Sequence, residues 1–111
     1  YCPRTSVKLW REMSEYLSRD TETSQWLSGL LASTTRSFIR DGIADDQALV
    51  RNKAGWISED GCYSTCDAGL IDVDGYSYVM SIMTSMPWSD QSSEAVAAIA
   101  KALYDVRSSL A

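Results

Sequence analysis

The spacing of apolar residues in the first third of the chain predicts two helices. The first spans 6–19 and the second spans 24–33, with a cap at Thr23 or Ser24. Their apolar faces, which we expect to pack in the core, are formed by Leu9, Trp10, Met13, Tyr16 and Leu17 and by Trp26, Leu27, Leu30 and Leu31. Residues 34–46 are predicted to be irregular, with Phe38 and Ile39 turned inward and a turn at Asp41-Gly42.

Alternating polarity in the middle of the chain predicts three strands, over 47–57, 62–73 and 76–85. Short turns at 58–61 and at Asp74-Gly75 separate them, which favours an antiparallel meander. On the third strand the two faces are predicted to consist of Tyr76, Tyr78, Met80 and Ile82 on one side and of Val79 and Met83 on the other.

A long amphipathic helix is predicted over 91–109, starting at a cap formed by Ser89, Asp90 or Ser92. Its buried face is expected to contain Val96, Ile99, Leu103, Val106 and Leu110. The predicted fold class is therefore α+β, in one domain over 1–111. It is a three-stranded antiparallel meander with two N-terminal helices and one long C-terminal helix packed on the sheet.

Composition excludes several classes of function. The net charge is −5 and the basic residues are scattered, so a nucleic-acid partner is not expected. No apolar run reaches the length of a membrane span. The chain has no histidine, which excludes a Ser-His-Asp triad and histidine-based zinc sites within it. We expect no cofactor and no metal.

The three cysteines leave the redox compartment open. Cys62 and Cys66 lie on one predicted strand, about 13 Å apart at their Cα atoms if the strand is straight, which is too far for a disulfide. A disulfide would need a bulge, a turn or pairing with Cys2, so small thiols that are buried or half-buried are the favoured interpretation.

The segment Lys53-Ala54-Gly55-Trp56 holds the candidate chemistry. A lysine on a strand offers a positive charge to an anionic substrate, and a glycine lets a substrate approach the backbone closely. The next peptide N–H can donate to an oxyanion. The competing interpretation is a solvated lysine followed by a glycine bulge.

The order of segments resembles the C-terminal part of class A β-lactamases and related penicillin-binding proteins. The resemblance rests on Lys53-Ala54-Gly55, then Asp67-Ala68-Gly69, a third strand and a final helix, and it covers nearly the whole chain. It implies part of an α/β sandwich and a location outside the cell or in the cell envelope. It also implies that Lys53 anchors the substrate, that Ala54 and Gly55 contact it, and that the Trp56 N–H is half of an oxyanion hole. The ligand would be a β-lactam or a peptidoglycan stem.

Departures from the family pattern are equally informative. No serine has a lysine three residues later, and no Ser-Asp-Asn occurs. Position 54 lacks a hydroxyl, and residues 62–73 contain no arginine. We expect the chain to be part of a serine hydrolase, inactive alone, whose N-terminal strands, Ser-x-x-Lys helix and Ser-Asp-Asn loop lie outside it. The alternative is a non-catalytic module that binds a cell-wall fragment or a partner protein. Under either interpretation, the 76–85 edge is expected to pair with a second copy or with a missing N-terminal segment.

Overall fold

Four α-helices and one three-stranded sheet make up the chain in a computed structural model, which describes residues 2–110. The α+β prediction is therefore confirmed. In chain order the elements are α1 (Pro3–Leu17), α2 (Glu22–Ala32), α3 (Phe38–Ile43), β1 (Leu49–Glu59), β2 (Cys62–Val73), β3 (Tyr76–Thr84) and α4 (Asp90–Asp105), followed by a 3-10 turn, Arg107–Leu110.

Capping side chains set the starts of α2, α3 and α4. Thr21 accepts a hydrogen bond from the Ser24 N–H and begins α2 two residues earlier than predicted, so the proposed caps at Thr23 or Ser24 are wrong. Ser89, one of the three caps considered for α4, caps it in the same way. The short helix α3 was not predicted, because 34–46 was interpreted as irregular with a turn at Asp41-Gly42, which lies inside this helix.

The sheet has the order β1-β2-β3 with both pairs antiparallel, as predicted. Two-residue turns at Asp60-Gly61 and Asp74-Gly75 join the strands, and both glycines have φ near +80°. Pairing of β1 with β2 runs without interruption from Leu49↔Asp72 to Glu59↔Cys62. The interpretation of Gly55 as a bulge is therefore wrong, and β1 and β3 are the two edges of the sheet.

The sheet lies between two layers of helices. The larger core is on the α3/α4 face, where Phe38 and Ile39 are almost completely buried, as predicted. The smaller core, on the α1/α2 face, is built around Trp10, Leu17 and Leu70. β3 divides its side chains between the faces as expected, with Met80 and Ile82 in the larger core and Val79 against the smaller one.

The predicted buried face of α4 is wrong except at Val96. The buried side chains of α4 are Ser92, Val96, Ala100 and Tyr104. The large apolar residues Ile99, Leu103, Val106 and Leu110 are instead exposed. Small residues at the contact let the helix approach α3 closely, so the most apolar stripe of the sequence is not the packed one.

The helical faces of α1 and α2 are also only partly buried. Leu9, Trp26 and Leu30 are exposed, whereas Leu27 and Leu31 pack against the smaller core. None of the helices described within residues 2–110 combines the length and the apolar character that a membrane crossing requires.

Candidate functional site

Strand β1 is an edge strand, so every second peptide of it points away from the sheet. In a hairpin closed by a two-residue turn, the pair next to the turn, here Glu59 and Cys62, is hydrogen-bonded. Counting back in twos, the odd-numbered residues of β1 bond to β2, while the N–H and C=O groups of Ala54 and Trp56 point outward. The Val50 carbonyl obeys the same rule, since it accepts a hydrogen bond from the Arg40 guanidinium at 2.9 Å outside the sheet.

Lys53 and Gly55 lie on the α1/α2 face of this edge. The Lys53 side chain is exposed, and its ammonium reaches around the strand to the outward-pointing carbonyl of Ala54. No salt bridge to Lys53 exists within residues 2–110. A Cβ atom added at Gly55 would have no other atom within 4 Å, so the space over this glycine is open.

Ala54 and Trp56 differ in what they can offer. The Ala54 side chain is buried in the larger core, so this residue can contact a ligand only through its backbone. A hydroxyl at position 54 would likewise point into the core. Trp56 is 40% exposed and presents both its outward N–H and its indole. Only Lys53, the backbone of 54–56 and the Trp56 ring are thus accessible at the predicted site.

A cavity of about 490 Å³ opens beside Lys53 and Gly55, between α1 and the sheet. Trp10, Met13 and Ala68 are among its apolar walls. Two serines in its lining, Ser6 and Ser81, have buried hydroxyls that find no hydrogen-bond partner within residues 2–110. The cavity gives the α1/α2 side of the β1 edge room for another group.

A buried polar network lies under the same edge, on the opposite face. The Asn52 side-chain amide donates to Asp67 Oδ1 at 2.8 Å and to the Arg36 carbonyl at 3.1 Å. Asp67 Oδ2 accepts from the Ile39 N–H at 3.0 Å. Burial raises the pKa of the Asp67 carboxyl, and these hydrogen bonds oppose the shift. The network ties the α2–α3 loop to β1 and β2.

Sequence reasoning did not identify this network. Its members are ordinary polar residues on predicted strands or in a predicted loop. A single polar side chain on a strand, such as Asn52 or Asp67, is more often exposed to solvent than buried. The sequence signal was the spacing of apolar residues. Asn52 lies between Val50 and Ala54 on one face of its strand, and Asp67 shares a strand face with Ile71.

An aromatic cluster lies at the end of β1. The indoles of Trp56 and Trp88 stack with centroids 4.8 Å apart and an interplanar angle of 25°. The Arg36 guanidinium carbon lies 5.2 Å from the Trp88 ring centre and 6.0 Å from that of Trp56. The backbone N–H of Trp88 donates to Ser58 Oγ at 2.9 Å, which holds the β3–α4 loop against β1. The sequence pointed to Trp56 but to neither of its neighbours.

The thiols of the chain are free, whereas two carboxylates near the β2–β3 turn are paired with arginines. Cys2, Cys62 and Cys66 are free thiols. Asp72 and Asp74 form ion pairs with Arg51 and Arg107 respectively. No group of three or more histidine, cysteine or acidic residues within 2–110 could hold a metal ion.

Comparison with known protein families gives a match. A family model described as the beta-lactamase enzyme family matches residues 1–106, which is nearly the whole chain. A comparison with curated proteins found no match, and neither did a comparison with solved structures. The matched range includes the β1 edge, both turns of the sheet and α4. The chain therefore belongs to the β-lactamase enzyme family.

Proposed function

We propose that this chain forms one wall of the active site of a penicillin-recognising serine hydrolase. The parent would attack an amide or β-lactam carbonyl with a serine and hydrolyse the resulting acyl-enzyme. Its substrate would be a β-lactam or the D-Ala-D-Ala end of a peptidoglycan stem, which is consistent with a location outside the cell or in the cell envelope. Family membership supports the reaction class.

The observation that carries the proposal is the direction of the Trp56 peptide. Its N–H points away from the sheet at an exposed edge, where it can donate to an oxyanion as negative charge develops on the substrate carbonyl. The Lys53 ammonium lies at the same edge and has no acidic partner within residues 2–110. It would attract the substrate carboxylate and stabilise negative charge near the reacting atoms.

Gly55 would let the substrate lie against the strand. The open space over its Cα leaves the α1/α2 side of the edge accessible, and an extended substrate could use the outward Ala54 carbonyl and Trp56 N–H as one acceptor and one donor. Lys53 would then exchange its contact with the Ala54 carbonyl for one with the substrate.

The nucleophile would come from a segment outside these 111 residues. No Ser-x-x-Lys occurs in the sequence, and no histidine is present to activate another serine. The chain alone should therefore give no turnover of a reporter cephalosporin and no acyl adduct by mass spectrometry. A stable penicilloyl adduct on any serine would contradict this part of the proposal.

Binding to the β1 edge can be tested on the chain itself. N-acetyl-D-Ala-D-Ala should shift the backbone amide resonance of Trp56, and Gly55→Val should abolish the shift because a side chain then occupies the open space. Valine suits a strand, so the fold should survive. The matched control is Gly29→Ala, a change on α2 with open space around it. Unaltered peptide binding to Gly55→Val would argue against the site.

The non-catalytic alternative predicts the same binding without chemistry in the parent. The sequence immediately upstream of Tyr1 separates the two. A Ser-x-x-Lys followed by a Ser-x-Asn within one domain length supports the enzyme, and their absence supports a binding module for a cell-wall fragment or a partner protein.

A further inference from the structure

Arg36 is held at a fixed place beside the end of β1. Its carbonyl accepts a hydrogen bond from the Asn52 amide at 3.1 Å, and Asn52 is itself fully buried and bonded to Asp67. The next residue, Ser37, is buried and caps α3 through a hydrogen bond from the Arg40 N–H. The α2–α3 loop is therefore anchored on both sides of the Arg36 peptide, although the Arg36 side chain is exposed.

The guanidinium of Arg36 is positioned by aromatic rings and not by acids. It lies within cation–π distance of both Trp88 and Trp56. No side-chain hydrogen bond or salt bridge of Arg36 occurs within residues 2–110, in contrast to Arg40, whose guanidinium donates to backbone carbonyls. A guanidinium held against aromatic rings keeps N–H groups free, and their fork matches the two oxygens of a carboxylate.

The two indoles add an apolar surface next to this cation. Trp56 and Trp88 are 40% and 41% exposed, so a large part of each ring is open to a ligand even though the rings stack on each other. Large apolar side chains with a nearby unpaired charge favour ligands that combine a flat apolar group with an anion.

We propose that Arg36, Trp56 and Trp88 form a binding site for a carboxylate attached to a flat apolar group. Arg36 binds the carboxylate with two parallel hydrogen bonds, and the indoles pack against the apolar part. The site lies on the α3/α4 side of the β1 edge, opposite Lys53, because Trp56 shares its strand face with Ala54 and Asn52. One part of this inference rests on the proposed function, namely that the site lies beside the reacting group of the substrate.

The probe for this site is phenylacetate, with phenylacetamide as the uncharged control. Binding to the full chain is measured by NMR from the indole Nε1–H resonances of Trp56 and Trp88. Phenylacetate should shift both indoles and should bind at least about tenfold more tightly than phenylacetamide, as expected for a hydrogen-bonded charge.

Substitution of Arg36 identifies the residue responsible. Arg36→Gln should weaken phenylacetate binding by about tenfold or more, and Arg36→Lys should restore only part of it, because an ammonium lacks the fork. The matched control is Arg19→Gln, since Arg19 also lies over an aromatic ring, 5.5 Å from the centre of Tyr16, but in the turn after α1. Equal affinity for the two probes, or equal effects of Arg36→Gln and Arg19→Gln, would overturn the proposal.

The outcome is separable from that of the proposed function. If phenylacetate binds through Arg36 while N-acetyl-D-Ala-D-Ala leaves the Trp56 amide unshifted, the carboxylate site stands and the proposed substrate fails. If the peptide binds while Arg36→Gln leaves phenylacetate unaffected, the proposed function stands and the carboxylate site fails. Loss of the fold in Arg36→Gln, checked by circular dichroism, moves the test to Arg36→Lys, which must then bind phenylacetate more weakly than wild type does.

Discussion

Asn52 on β1 donates a hydrogen bond to Oδ1 of Asp67 on β2, over 2.8 Å and with both side chains buried. The pair lies directly under the edge that carries Lys53 and Trp56. Through the Arg36 carbonyl and the Ile39 N–H, it also fixes the loop and the helix that precede β1. The position of the candidate site thus depends on a polar contact inside the larger core.

Removing the Asp67 carboxyl should destabilise the fold. Asp67→Ala leaves the buried Ile39 N–H without its acceptor, which costs about 1–3 kcal/mol in the free energy of unfolding. Burial raises the folded-state pKa of Asp67. The contribution of its carboxyl group to the free energy of unfolding is therefore complete below the unfolded pKa, near 4, and declines as pH rises through the folded pKa. Urea titrations should therefore show a larger loss at pH 4 than at pH 7. Asp46→Ala, an exposed carboxylate, is the control, and an equal effect of the two changes would contradict the role given to Asp67.

The Tyr104 hydroxyl should control alkaline stability. It donates to Asp45 Oδ2 at 2.5 Å, and burial together with this bond raises the pKa of Tyr104 to about 12. Its contribution is present below the unfolded pKa, near 10, and is lost as pH rises towards 12. Tyr104→Phe should remove the loss of folding stability that this hydroxyl causes between pH 10 and 12. Tyr63→Phe, on an exposed side chain, should leave it intact. The comparison is made by thermal unfolding across that range.

The hydrogen bond between Tyr104 and Asp45 should also affect stability at acid pH, where its contribution is lost as pH falls. The Tyr104 hydroxyl and the Gln47 N–H lower the pKa of Asp45, so the stabilisation is present above the unfolded pKa and is lost as pH falls through the folded one. Tyr104→Phe should make acid unfolding less steep at pH 2–4. An unchanged acid profile would show that the hydroxyl does not hold the Asp45 carboxylate in solution.

Two glycines should respond to alanine in opposite directions. A Cβ at Gly42 would lie 2.0 Å from the Ala97 carbonyl oxygen, so Gly42→Ala must push α3 away from α4. We expect a loss of about 1–3 kcal/mol, as for other overpacked cores, or failure to fold. Gly29 lies within α2 with no atom near its missing Cβ, and Gly29→Ala should stabilise by about 0.5–1 kcal/mol. Chemical denaturation measures both changes in the free energy of unfolding. Stabilisation by Gly42→Ala would contradict the close contact between α3 and α4 at Gly42.

The β3 edge should mediate self-association. The hairpin rule that applies to β1 leaves the N–H and C=O groups of Ser77 and Val79 pointing outward, and the exposed Leu103 and Val106 lie beside a groove along this edge. Light scattering should detect dimers of the chain. Ser77→Pro removes an outward N–H that β2 does not use and should favour the monomer. Ser77→Ala loses the same hydroxyl but keeps the N–H, so it should remain dimeric, and a monomeric wild type would contradict the prediction.

How far the sequence predicts this fold differs between the sheet and the helices. The strands follow from alternation and the turns from the two Asp-Gly pairs, whose glycines adopt φ near +80°, because these signals are local. The first turn is shorter than the predicted 58–61, since β1 continues to Glu59. The prediction of the buried face of α4 was wrong because the sequence shows where large apolar residues lie but not which side of the helix is packed. Tight contact with α3 requires small residues, and Ala100 occupies the place expected for Ile99 or Leu103.

The candidate site shows the same division. Lys53, Gly55 and Trp56 stand together in the sequence, so one strand motif identifies them. Arg36 and Trp88 come from loops 20 and 32 residues away from Trp56, and only the fold brings them together. The Asn52–Asp67 contact is likewise a product of strand register, which the polarity pattern does not specify for polar pairs.

The place of α4 in the chain has a consequence for synthesis. Val96, Ala100 and Tyr104 complete the larger core, yet they follow every strand that they cover. As the polypeptide emerges, the hairpins can pair while the α3/α4 face of the sheet still lacks its last helix. Until then Ile71, Met80 and Ile82 are open to non-native contacts and to chaperones. Emergence of α4 is therefore the step at which this face of the sheet becomes covered in the nascent chain.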